Sequence, residues 1–339
     1  MTQKSSPTID DVARLAAVST ATVSRCLNAP QKVSQKTLER VMGAVRDLGY
    51  TPNFAARAMA ANRTRTIGAV IPTMENAIFA RGLQAFQEAL HLRGYTLLVA
   101  SSAYDPTREA EQIRTLVGRG ADGLLLIGHD RPDATYAYLS DRDVPALVSW
   151  AYDADGALSS VGFDNRAAMR GLANHMLELG HRRIAVISGH IAGNDRAAER
   201  VGGIRDAMMA CGLDAGGLPV EECDYDIDAG AAACGRLLDC DPPPTLLMCG
   251  NDVLAVGALR EAGRRGLRVP DDLSITGFDD IELARIVVPP LTTVHVPHRQ
   301  MGGLAAETLI GMIETGTRPD PVKLDSSLRL RGSVRAVRP

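Results

Sequence analysis

From Thr66 onward the chain alternates short aliphatic runs with longer amphipathic segments, and it does so twice. IGAVIP, YTLLVASS, DGLLLIG and ALVSW are apolar nearly throughout, while 79–93, 106–119 and 136–142 between them carry helical spacing. Strands without polar alternation must be covered on both faces, so the pattern predicts a parallel sheet flanked by helices. The same order restarts after VGFDN: 165–179 reads as helix, RRIAVISG as strand, 197–210 as helix, TLLMCG as strand, and LSITGFDD as a strand ending in an acidic turn. This predicts an α/β body of two doubly wound lobes, with a ligand cleft outside the carboxyl ends of the strands. A single large sheet is the alternative, and the restart near Asn165 disfavours it.

Composition supports this reading. Hydrophobic residues make up 45% of 339 positions, which excludes a disordered chain, and the 4% aromatic content requires a mostly aliphatic core. The net charge of −3 hides an asymmetry: residues 1–66 hold 10 Lys or Arg against 4 Asp or Glu, and the remainder holds 27 against 36. A basic head on an acidic body suggests a localised polyanion-binding surface, with a merely solvated basic face as the alternative. The six cysteines have no CxxC spacing and read as small apolar residues in a reducing setting. Residues 1–7 lack the apolar stretch of a secretion signal, and no window approaches membrane-spanning length. The expected location is the cytoplasm, with no membrane partner.

The head, 1–50, reads as three short helices. Thr8 and Asp11 have capping-box spacing, after which Ile9, Val12, Ala13 and Ala16 face a core. Ser19 suits the N-cap of a second helix running to about Asn28, with Val23 and Leu27 four apart. Ser34 opens a third, with Leu38, Val41, Val45 and Leu48 as its stripe and Gly49 as its stop. Two helices across a tight turn, packed on a third, make an all-α helix-turn-helix; a structural three-helix cap would not need the basic balance. Thr20, Ala21 and Arg25 are expected toward base edges, with Ser19, Thr22 and Ser24 for phosphates or capping.

A linker, 51–65, follows. Thr51 can cap and Pro52 can take the first helical position, but 53–61 is too short to be a stable helix alone. At this point TIDDVA, VSTATVSR, the LGYTPN junction and the segment ending in Met59 resemble the LacI/GalR family of bacterial repressors. The resemblance implies a hinge helix paired with its twin in the minor groove. Asn53 and Ala56 would line the hinge and groove, Arg57 would approach the backbone or groove, and Met59 would be the apolar wedge where the family usually has Leu.

The core, 66–339, also resembles that family in GFDN, LGHRRIAVISG, GNDVLAVGAL, GLRVPDDLSITGFDD and PPLTTV, so the likeness spans 8–332. It implies a periplasmic-binding-protein-like effector and dimerisation core with chain crossovers near 161, 290 and 325. It further implies that Arg200 binds hydroxyls or a carboxylate of the effector, Asp279 accepts hydroxyl protons, and Tyr225 stacks on the ligand. Asn251 and Arg196 would stand beside them, with Asn76 and Phe79 from the first lobe and Phe163 and Asp164 at the crossover. IPTMENAIFARGLQ and SSAYDPTREAEQ resemble the gluconate-responsive branch, and Arg81, Arg166, Arg196 and Arg200 together would make the cleft positive. A sugar acid such as gluconate is therefore one expected effector, and a neutral pentose or hexose the other.

Other chemistries are disfavoured. Gly118, Gly120 and Gly123 form a GxGxxG pattern, but from helix to strand, the reverse of a dinucleotide fingerprint. Asp224, Asp226 and Asp228 begin like a calcium loop, yet Ala229 stands where the turn glycine belongs. There is no HExxH and no GxSxG, and His181 reads as structural. No enzyme activity, cofactor or metal is expected. The reading is a ligand-responsive transcriptional repressor that binds pseudopalindromic operator DNA as a homodimer, because one head supplies one half-site. The alternative is a sugar-binding module for transport or chemosensing. No heptad tail follows Gly332, so a tail-mediated tetramer is not expected.

Overall fold

The computed structural model describes residues 7–51, 63–75 and 77–337, and the chain divides into two compact units, Met1–Thr64 and Arg65–Pro339. In the first unit, α1 (Ile9–Leu15) opens with the Thr8–Asp11 capping box, the Thr8 amide donating to Asp11 Oδ2 at 2.9 Å. α2 (Thr20–Asn28) starts at the Ser19 cap. α3 (Gln35–Leu48) starts at the Ser34 cap and ends where Gly49 turns left-handed at φ 61°. Val12, Ala13, Ala16, Val23, Cys26, Val41 and Ala44 form the buried core of this unit. Cys26, rather than Leu27, is the second fully buried residue of α2, with Leu27 packed at the edge of the same core.

The second unit contains two lobes. The first has an all-parallel sheet of β1 (Thr66–Ile71), β2 (Thr96–Ser101), β3 (Gly123–Ile127), β4 (Ala146–Ser149), β5 (Ser160–Gly162) and β11 (Val322–Lys323) in the order β11-β5-β4-β3-β1-β2. β1, β3, β4 and β5 are buried at every residue, as continuous apolar strands between helix layers must be. The second lobe has β6 (Ile184–Ser188), β7 (Val220–Glu222), β8 (Leu246–Cys249) and β9 (Ser274–Thr276), parallel in the order β7-β6-β8-β9. The acidic turn GFDD lies just beyond β9, so the strand is shorter than its sequence run suggests.

Helices cover the sheets in close pairs. α4 (Ala77–Leu92) packs on α12 (His298–Thr315), α7 (Asn165–Glu178) on α8 (Asp195–Ala210), and α9 (Ile227–Leu238) on α10 (Asp252–Arg264). α5 (Pro106–Gly118) and α6 (Asp133–Asp141) complete the first lobe, and the one-turn α11 (Leu283–Ile286) follows β9. α4 and α12 approach so closely that a Cβ on Gly302 would collide with the Gly82 carbonyl, and the absent side chain makes the contact. Near-continuous apolar packing through Ile67, Phe86, Trp150, Val186, Ile204 and Phe278 joins the lobes.

The chain passes between lobes three times: after β5, along β10 (Thr293–His295) into α12, and back along β12 (Ser327–Arg329). β10 and β12 form their own antiparallel pair, with Thr293 opposite Arg329 and His295 opposite Ser327. No helix among the described residues is long and apolar enough to cross a membrane.

Candidate functional site

Two regions carry the polar chemistry. In the first unit, the Ser19 hydroxyl caps α2 by accepting from the Thr22 amide at 3.2 Å and lies 2.9 Å from the Thr22 hydroxyl. Thr20 and Ser24 are half-buried, whereas Ala21 and Arg25 are exposed one turn apart. Arg25 makes no ion pair among the described residues. Asn28 joins this face by donating to the Ser24 hydroxyl at 3.2 Å. Its spacing of i+3 and i+4 from Arg25 and Ser24 was available in the sequence. The expected hinge residues Asn53, Ala56, Arg57 and Met59 lie outside the described residues.

The second region is between the lobes, at the carboxyl ends of β3, β6, β8 and β9. Arg200, on the inner face of α8, is only 6% exposed. Its Nε donates to Asn165 Oδ1 at 2.9 Å and Nη1 to the Gly250 carbonyl at 2.7 Å, while its guanidinium lies 3.9 Å from the centre of the Phe278 ring. Nη2 remains directed at Asp279, 3.7 Å from Oδ1. Asp279 is 1% exposed, and neither carboxylate oxygen has a hydrogen-bond partner among the described residues. Burial pushes its pKa up to about 6, with the Arg200 charge opposing. Asn251 spends Oδ1 on capping α10 through the Leu254 amide at 2.9 Å, leaving its buried Nδ2 without a partner. Burial also holds His298 neutral, its pKa pushed down to about 3.

Aromatic residues close the cleft from both sides. Tyr104, in a left-handed turn after β2, and Tyr225, after β7, bring their rings to 5.6 Å. Tyr225 is the residue to which the family resemblance gives ligand stacking; Tyr104 opposite it is absent from the sequence expectations, although its place just beyond a strand's carboxyl end is itself the signal. Phe79 is buried edge-on to Trp150 at 5.5 Å, and Phe163 stacks on Phe278 at 6.0 Å. Asp164 caps α7 through the Ala167 amide at 2.8 Å and pairs with Lys323 at 3.0 Å, so its oxygens are engaged at the crossover. Asn76 lies outside the described residues. The cleft is latched, with the His129 amide donating to Asp195 Oδ2 at 2.6 Å and Arg196 Nη1 to the Ile127 carbonyl at 3.1 Å. A cavity of about 320 Å3 adjoins the latch, lined from both lobes by residues including His129, Tyr152, Phe163 and Arg196.

The four arginines do not pool their charge. Arg81 pairs with Glu282 at 3.0 Å, Arg166 with Asp206 at 2.7 Å, Arg196 with Asp195 at 2.8 Å, and Arg200 faces Asp279. A cleft of unusual positive charge is therefore corrected to one of local pairs. His181 is structural, its ring between the Thr245 hydroxyl and the Arg335 carbonyl. Asp226 caps α9 instead of opening a calcium loop. No metal-holding cluster occurs among the described residues, and the six cysteines are free thiols.

A helix-turn-helix unit followed by a two-lobed, periplasmic-binding-protein-like body defines the class of an effector-controlled DNA-binding regulator. A model described as bacterial regulatory proteins, lacI family, matches residues 8–53, and one described as periplasmic binding protein-like domain matches 173–334. The HTH-type transcriptional repressor CytR of Escherichia coli K12 is 35% identical, covering 99% of this chain and 98% of that protein. A lac repressor dimer bound to operator and the anti-inducer ONPF superposes with a TM-score of 0.86 at 26% identity, covering 97% of this chain and 99% of the other. The transcriptional regulator CelR in complex with cellobiose gives 0.72 at 31% identity, with coverages of 96% and 99%. The chain belongs to the LacI family of bacterial transcriptional regulators.

Proposed function

We propose that the protein is a repressor that binds a pseudopalindromic operator as a homodimer and is controlled by a neutral polyhydroxylated effector, a sugar or a sugar-bearing molecule. The observation that carries the effector class is the Asp279 carboxylate, buried beside Arg200 with both oxygens unpartnered among the described residues. A buried acceptor of this kind needs hydroxyl donors, and a hydroxyl can donate to Asp279 while accepting from Arg200 or Asn251 Nδ2. A sugar acid is served less well, since its carboxylate would meet the Asp279 charge and no surplus arginine.

Repression is supported by the name of the CytR relative. Base reading is assigned to Thr20, Ala21 and Arg25, and backbone contact to Ser19, Thr22 and Ser24. Asn53, Ala56, Arg57 and Met59 keep the hinge roles that the family resemblance implies. Dimerisation through the first lobe is supported by β2, an edge strand whose Leu98 and Val99 are both more than one-third exposed. The experiment is calorimetry on the full chain with ribose, glucose, cellobiose and gluconate. Binding of a neutral sugar that Asp279→Asn abolishes supports the reading; binding of gluconate alone contradicts it.

A further inference from the structure

Asp279 and Asp280 are consecutive, and both adopt left-handed backbone conformations, φ 100° and 54°, that non-glycine residues rarely occupy. Such a turn persists only where its surroundings hold it. Here the Asp279 amide donates to the Val294 carbonyl at 2.8 Å. The Asp252 carboxyl accepts from the Ile281 amide at 2.8 Å and from the Thr293 hydroxyl at 2.6 Å, tying the turn to α10 and β10 together.

The two carboxylates serve different neighbourhoods. Asp279 faces Arg200 in the cleft, whereas Asp280 sits among the crossover strands with its side chain 1% exposed. Arg331 Nη2 donates to Asp280 Oδ1 at 2.5 Å and Arg285 Nη2 to Oδ2 at 3.3 Å; His295 Nδ1 lies 3.0 Å from Oδ2 and Arg329 Nε at 4.0 Å. His295 belongs to β10 and Arg329 to β12. Arg331, two residues beyond β12, also donates through Nη1 to the Leu291 carbonyl at 2.9 Å and through its amide to the Thr292 hydroxyl at 2.9 Å. One buried carboxylate thus gathers groups from two of the three interlobe crossovers.

We propose that Asp280 is a positioning residue that fastens the effector-sensing Asp279 to the β10–β12 crossover pair, so that a shift of Asp279 on effector binding is passed to the strands along which the lobes bend. The inference rests on the reading of Asp279 as an effector contact. Asp280 touches no effector itself. Removing its charge leaves Arg285, Arg329 and Arg331 clustered without their shared anion, which loosens both crossovers while leaving the Arg200–Asp279 pair in place. Two bistable positions of this joint, each favoured by a different ligand, are what coupling between effector and DNA requires.

The test uses the full chain as wild type, Asp280→Asn, Arg331→Met and Arg331→Lys. In the ligand-free proteins, hydrogen exchange in 292–296 and 327–332 is expected to quicken by about tenfold in D280N and R331M and less in R331K, with β1, β3 and β8 unchanged. The second arm takes the sugar among ribose, glucose, cellobiose and gluconate that wild type binds, and a duplex selected by wild type from a random pool. D280N is expected to bind both within about threefold of wild type, yet to lose most of the sugar's effect on duplex affinity. Unaltered exchange, a fully retained sugar effect, or a folded D280N that no longer binds the sugar each overturns the proposal. If wild type binds none of the sugars, the effector reading fails and the transmission of effector binding falls with it, while the exchange arm still decides whether Asp280 holds the crossover pair. If D280N does not fold, the Arg331 variants carry both arms.

Discussion

Arg200 Nη2 and Asp279 Oδ1 stand 3.7 Å apart inside the closed cleft, near enough to pair by charge and too far to hydrogen-bond. Both residues are buried, and the proposed effector hydroxyl would donate to Asp279 while accepting from Arg200. Arg200→Ala should therefore weaken effector binding by about 2 to 5 kcal/mol, much of it from leaving Asp279 buried and uncompensated. Calorimetry with the bound sugar measures the loss, and operator affinity without effector should change far less.

Effector binding should also depend on pH through Asp279. Burial has raised its pKa to about 6, so it is charged and accepting at neutral pH and gains a proton as the pH falls through that value. Affinity for a hydroxyl donor should drop between pH 7 and pH 5. The drop should vanish in Asp279→Asn, which starts weak, and a flat wild-type profile would remove Asp279 from the contact.

Stability has its own pH signature at Asp252. Burial, reinforced by the Asp279 charge, raises its pKa from the ordinary carboxyl value of 3.8 to about 8, while the bonds from Thr293 and Ile281 oppose the shift. The folded state holds a proton that the unfolded chain releases, so stability falls as the pH rises between these two values. Urea midpoints of the full chain from pH 5 to pH 8 should decline, and Asp252→Asn should flatten the decline.

Arg25→Ala tests the exposed face of α2. Loss of a bidentate contact to guanine should cost about 1 to 3 kcal/mol per half-site. A titration that finds unchanged discrimination between selected and scrambled duplexes would remove Arg25 from base reading. For the linker, Met59→Gly should weaken duplex binding at matched salt and Met59→Leu should preserve it, whereas equal affinities would show that no wedge acts there.

The buried strands β1, β3 and β8 and the helix caps at Thr8, Ser19 and Ser34 were legible because period and cap chemistry are local. The cleft was legible only as single residues. Tyr104 meets Tyr225, Arg81 meets Glu282 and Arg166 meets Asp206 across separations that no local pattern encodes. That is why four arginines read as one positive patch and prove to be separate pairs. β11 and β12, at two and three residues, are too short to show a period, and the left-handed turn at Asp279 and Asp280 is imposed by β10 and α10.

Occupation of the Arg200–Asp279 cleft and occupation of DNA should be thermodynamically linked. Calorimetric titration of the full wild-type chain with whichever of the four sugars it binds, alone and saturated with selected duplex, tests this. The two dissociation constants should differ by about 5- to 150-fold, the ordinary range of such coupling. Identical constants in the two titrations would contradict it.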